Sequence, residues 1–149
     1  MILRLLVLAS NLHAYTVNRV TLECINPPDL PTPPTYSHVV ITTGTKLVFV
    51  AGQEPEDEAG NLVGDGDLAA QARQVFANVG RALAAAGARP DQVAKITIYV
   101  AGYRREHLPV IEAARVAVFG DHKPADTLLG VEKLSRSEYL IEVDAFAVI

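Results

Sequence analysis

The chain has 149 residues, half of them apolar and a fifth charged, which excludes a disordered polymer and suits one domain that buries its own core without disulfides or a structural metal. Thirteen Lys and Arg against seventeen Asp and Glu give a formal charge of −4, which argues against a surface built to neutralise nucleic-acid phosphates. The single cysteine, Cys24, allows no internal disulfide and no cysteine-rich zinc site, as suits a reducing, cytoplasmic setting.

The first segment, residues 1–19, opens with the apolar run MILRLLVLA, interrupted by Arg4. It is too short to span a bilayer, which takes about 20 residues, and its charge falls inside the apolar stretch, where a secretory signal carries none. It reads as an N-terminal extension, or as sequence upstream of the true start, ahead of a single domain over residues 20–149. Residues 27–34 hold five prolines, which fix φ and remove amide donors, so a rigid extended connector is expected there. Residues 37–43 and 46–51 are rich in Val and Ile and are separated by Gly44-Thr45, the signature of a β-hairpin. A polar loop follows to Gly66.

Asp67 is placed to cap a helix. Leu68, Ala72, Val75, Phe76, Val79 and Leu83 recur at three- and four-residue steps and form its buried face, with Gln71, Gln74, Asn78 and Arg81 opposite. Gly87 ends that helix and Pro90 prevents its resumption. Residues 93–101 read as a strand. A second helix is expected over 108–119, with Pro109 in its first turn and Gly120 at its end. Closing strands are expected at about 127–133 and 139–148. The order β-β-α-β-α-β-β describes an α+β sandwich, a mixed sheet with two helices on one face. The other face is then bare, and further copies of the chain are the simplest cover.

Several motifs carry little. Gly64-Asp65-Gly66-Asp67-Leu68-Ala69 matches a dinucleotide fingerprint, but it lies some twelve residues beyond the preceding strand and puts two aspartates where a pyrophosphate would sit. His13, His38, His107 and His122 show no ligand spacing, so no metal site is expected, and His122 reads as part of a solvated loop. Cys24 reads as a small packing residue. What remains is polar residues near strand ends: Tyr36, the Ala51-Gly52-Gln53 run, Pro124-Ala125-Asp126-Thr127, and Glu142 with Asp144, which share one strand face.

Taken together, Tyr36-Ser37-His38, Val50-Ala51-Gly52-Gln53, residues 71–78 (QARQVFAN), Ala85-Ala86-Gly87, residues 93–97 (VAKIT), Lys123-Pro124-Ala125 and residues 141–148 (IEVDAFAV) resemble the RidA (YjgF) family of reactive intermediate deaminases. The resemblance implies a chorismate-mutase-like fold, homotrimers with ligand clefts between subunits, and cofactor-free, metal-free hydrolysis of enamines and imines of small 2-keto acids with release of ammonia. In such members an arginine two residues after the proline of a Pro-Ala-Arg-Ser stretch grips the substrate carboxylate, a task that suits its forked guanidinium.

Here that position is Asp126, so the charge is reversed. The familiar cysteine two residues on is Leu128, a serine before Gly52 is Ala51, and an asparagine of the second helix aligns with Glu112. By the resemblance, Asp144 is the water-activating carboxylate, and Tyr36, Ala51, Gly52, Gln53, Glu112 and Thr127 line the ligand site. Asp126 and Asp144 are expected to face one another across the subunit cleft as an acid and base pair, because two close carboxylates separate their pKa values. The leading expectation is therefore an imine hydrolase of altered substrate choice. A non-catalytic homotrimer that binds a small metabolite is the second. In the third, Asp126 is merely solvated, or paired with Lys123 or Arg136 at a subunit edge.

Overall fold

The computed structural model describes residues 20–149, and the expectation for residues 1–19 lies outside the described residues. In chain order the elements are β1 (Thr21–Ile25), β2 (Val39–Thr43), β3 (Leu47–Gln53), α1 (Leu68–Ala85), β4 (Val93–Ala101), α2 (Leu108–Phe119), β5 (Ala125–Val131) and β6 (Ile141–Val148). β1 is an addition to the expected order. Its five residues include Glu23 and Cys24, and Cys24 is exposed rather than packed, so no apolar alternation announces it.

Four strands form the main sheet in the order β3-β6-β4-β5. Only the β4–β5 pair is parallel, as a connection through α2 requires. Both helices pack on one face. Val75, Phe76, Val79 and Leu83 of α1 and Ile111 of α2 meet Ile96, Ile98, Val100, Val143 and Ala145 of the sheet, all fully buried. Burial of each Val, Leu, Ile or Phe side chain among them contributes about 1.5–3 kcal/mol. Asp67 caps α1 by accepting from the amides of Ala69 and Ala70 at 2.9 and 3.1 Å, which fills with its own carboxylate the end where the fingerprint motif would seat a phosphate. The first-helix polar stripe needs one correction. Gln71 is fully buried, and its amide donates to the carbonyls of Gly64 and Glu138 and accepts from the Leu140 amide. The side chain thereby ties the helix to the approach of β6.

The expected β2–β3 hairpin does not form. β2 pairs with β1 in a separate two-stranded ribbon, and β3 pairs with β6. A two-residue hairpin turn beginning on glycine needs positive φ there, and Gly44 has none. Its lack of a side chain serves close approach instead: a Cβ on Gly44 would lie 2.4 Å from Val148 Cγ1. The amides of Thr45 and Lys46 donate to the Ile149 carbonyl. At the ribbon's other end Ser37 bridges to Ala125, its amide donating to the Pro124 carbonyl and its hydroxyl to that of Lys123. β2 thus runs from the β5 edge of the sheet to the chain terminus beside β3, packing against β4 on the way.

Candidate functional site

Sheet register decides which site residues can meet. Asp126 stands beside Ile96, which stands beside Ala145, and Ile96 and Ala145 are core residues beneath the helices. Neighbours across a sheet share a face, so Asp126 points to the helix side. Asp144 stands beside Thr97, and Thr97 beside Thr127, which puts Asp144 and Thr127 on the open face. Within one chain Asp126 and Asp144 therefore leave the sheet on opposite sides, because they are of opposite parity, so a pairing of the two carboxylates is one between subunits.

The carboxylate beside Asp126 is Glu112 of α2. Burial pushes the Asp126 carboxyl up to about 6, and Glu112 adds to the rise, against the opposing pull of Lys95, Arg115 and the Thr127 amide. One carboxylate oxygen, Oδ1, is buried without a hydrogen-bond partner. Arg115 Nε donates to Glu112 Oε2 at 3.0 Å in a buried ion pair, and its Nη1 donates to the His122 carbonyl. His122 is not in a solvated loop: its Nε2 lies 2.7 Å from the Val93 carbonyl and its ring stacks on Phe119. Within the chain the charges that act on Asp126 are thus Glu112, Arg115 and Lys95.

On the open face Tyr99 donates its hydroxyl to Asp144 Oδ2 at 2.9 Å, while Asp144 Oδ1 is buried and unpartnered. The bond to the carboxylate raises the Tyr99 pKa. Lys95 Nζ donates to Thr127 Oγ1 at 2.5 Å and to the Ile96 carbonyl at 2.8 Å. A β-bulge interrupts β3 between Val50 and Gln53, placing Ala51 and Gly52 on the extra turn of chain. There the Glu142 carboxylate lies so close to the backbone that a Cβ on Gly52 would fall 1.7 Å from Oε1. Burial raises the Glu142 pKa, and Glu54 and Asp144 add to it. Gln53 Nε2 donates to the Ala51 carbonyl, and Gly52 and Gln53 open into a groove of about 760 Å³ lined further by Glu54, Glu56, Asn78 and Arg81. Tyr36 sits edge-to-face with His38 at 5.5 Å, next to the Ser37 junction at the start of β5.

The predicted residues therefore fall in four places: Asp126 with Glu112, Asp144 with Thr127 near Lys95 and Tyr99, Ala51, Gly52 and Gln53 with Glu142, and Tyr36 apart from these beside His38. Glu142 was the carboxylate to add, since its alternation with Asp144 marks the same face. Lys95 and Arg115 gave no signal, because isolated basic residues in a strand and a helix read as solvated charges. Among the described residues, no group of three or more His, Cys, Asp and Glu is arranged to hold a metal ion, and no helix is long and apolar enough to cross a membrane.

A family model described as Endoribonuclease L-PSP matches residues 29–149. The chain belongs to the RidA (YjgF) family. It is 33% identical over 101 residues to a RutC family protein of Pyrococcus horikoshii, covering 68% of this chain and 78% of that protein. It is 30% identical over 125 residues to the 3-aminoacrylate deaminase RutC of Acinetobacter baylyi, covering 84% and 96%. Among solved structures, a Rid-family protein of unknown function from Yersinia pestis, YyfB, superposes with a TM-score of 0.80 at 33% identity, covering 86% of this chain and 98% of that one. The mixed sheet with both helices on one face is thus shared with RidA-family structures.

Proposed function

We propose that this RidA-family protein hydrolyses C=N bonds of small imines or enamines that carry no carboxylate, within clefts of a homotrimer in a reducing cytoplasm. The single observation that carries the reading is the half-buried carboxyl of Asp126 near Glu112, one oxygen of it inaccessible, where the family resemblance places an arginine. A ligand carboxylate brought there would add a third acid to two already crowding one another, in a site where burial strengthens the repulsion. Neutral imines and iminium cations meet no such penalty. Asp144, with one oxygen held by Tyr99 and the other unpartnered, is placed to orient and deprotonate water, and Glu142 at Gly52 adds a carboxyl whose pKa burial raises.

A formal charge of −4 favours this small-molecule reading over RNA cleavage, because phosphate binding needs a cationic surface. The trimer is supported by the apolar open face, on which Leu47 and Phe49 are each 69% exposed and Phe49 meets Phe146 edge-to-face. Ammonia release should appear with imines formed from neutral aldehydes and ketones and be absent with 2-iminobutanoate. Asp126→Arg should confer binding of small carboxylates, read as a thermal shift. Ordinary turnover of 2-iminobutanoate overturns the substrate assignment. A ligand that stabilises the protein and is recovered unchanged across the panel overturns catalysis in favour of a binding role.

A further inference from the structure

Lys95 is the one half-buried lysine of the chain's four; Lys46, Lys123 and Lys133 are exposed. Among the described residues no carboxylate lies within ion-pair distance of its amine. Among those residues its hydrogen-bond acceptors are two and uncharged, Thr127 Oγ1 and the Ile96 carbonyl. An ammonium carries three protons, so one is left without a partner, in a place where water is partly excluded. A charged amine so placed is costly, whereas a neutral amine keeps both hydrogen bonds and frees its lone pair. Burial accordingly lowers the Lys95 pKa, although Asp126 and Asp144 oppose the change. The residue stands on the open face, with Phe146 beside it on β6 and Ala125 on β5. Thr97 lies two residues further along β4, between Asp144 and Thr127. The free oxygen of Asp144 thus belongs to the same face.

We infer that Lys95 is a catalytic nucleophile that exchanges with the imine nitrogen of the substrate, an inference that rests on the C=N hydrolase reading above and supplies its chemistry. The Nζ lone pair adds to the imine carbon, the former imine nitrogen takes up protons and departs as ammonia, and the carbon remains joined to Lys95 as a protonated Schiff base. Asp144 Oδ1 then removes a proton from water, the oxygen adds to the carbon, and the C–Nζ bond breaks to leave a carbonyl product and the free amine. The sum is imine plus water to carbonyl plus ammonia, with no redox change and no second reactant. The Schiff-base half of this cycle runs on any small neutral aldehyde, so it can be read without the natural substrate.

The unmodified protein is treated with propanal and sodium cyanoborohydride at neutral pH, and N-propyl groups are located by peptide mass mapping. The share of free amine rises as a lysine pKa falls, so Lys95 should be alkylated faster than Lys46, Lys123 or Lys133 despite its lower exposure. Lys95→Arg should retain the thermal transition and lose ammonia release. Alkylation of Lys95 no faster than of the other three, or full ammonia release from folded Lys95→Arg, overturns the inference and leaves the hydrolase reading standing. Selective alkylation without ammonia release from any imine establishes the nucleophile and removes the hydrolase reading instead.

Discussion

Replacing Asp126 by Asn tests the charge balance beneath α2 directly. The Asp126 carboxyl titrates at about 6 in the folded protein against 3.8 in a free side chain. The folded state therefore holds the Asp126 proton more tightly than the unfolded chain does. The stability this confers is fully present below about pH 3.8 and is lost as pH rises to about 6. A rise from 3.8 to about 6 corresponds to about 3 kcal/mol. Above that window burial and the nearby Glu112 charge disfavour the ionised carboxylate, with Arg115, Lys95 and the Thr127 amide as partial compensation.

Asp126→Asn keeps the shape and removes the charge. It should stabilise the protein by roughly 1–3 kcal/mol near pH 8 and change little near pH 4. For a chain of this length that is a Tm increase of several degrees, at about 2–4 °C per kcal/mol. Urea unfolding at both pH values, with the concentration of protein held constant, gives the difference. An Asn variant that is less stable near pH 8, or equally altered at both pH values, refutes the claim that Asp126 is held uncomfortably charged.

Arg115→Met strands the Glu112 carboxylate beside Asp126 and should destabilise by about 3–5 kcal/mol in urea, the usual cost of removing one partner of a buried pair; adding Glu112→Gln should recover most of the loss. Gly52→Ala asks the Glu142 carboxylate to move, since the new Cβ would occupy its place. Because Gly52 has no positive φ, the variant should fold normally, and a loss of ammonia release with little change in Tm is the expected split. Phe49→Glu puts a charge on the exposed apolar face and should reduce the mass seen by light scattering from trimer to monomer, with an unchanged trimer arguing that another surface holds the assembly.

Local rules suffice for the helices and the core. The apolar face of α1, its Asp67 cap, the Gly87 stop and the limits of α2 are set within a few residues of chain, and periodicity alone exposes them. Gln71 marks where that reasoning stops: its polar side chain belongs to the outer stripe by composition, yet it is buried because distant carbonyls at Gly64 and Glu138 come to meet it. The β2–β3 hairpin fails for a similar reason. Gly44 reads as a turn in isolation, while the terminus 104 residues after Thr45 claims the amides that follow it.

For the site, the sequence alone determined which carboxylates the family positions carry, the reversed sign at Asp126 among them. Only the tertiary structure decided which of them meet. The register of β4, β5 and β6 sends Asp126 under α2 to Glu112 and keeps Asp144 with Tyr99 on the open face. The order of residues along a strand fixes the parity of a side chain, but the partner strands that form its surroundings are brought together only by folding. The same is true of Lys95, an ordinary lysine in the sequence whose half-burial and uncharged partners exist only once β4 and β5 lie side by side.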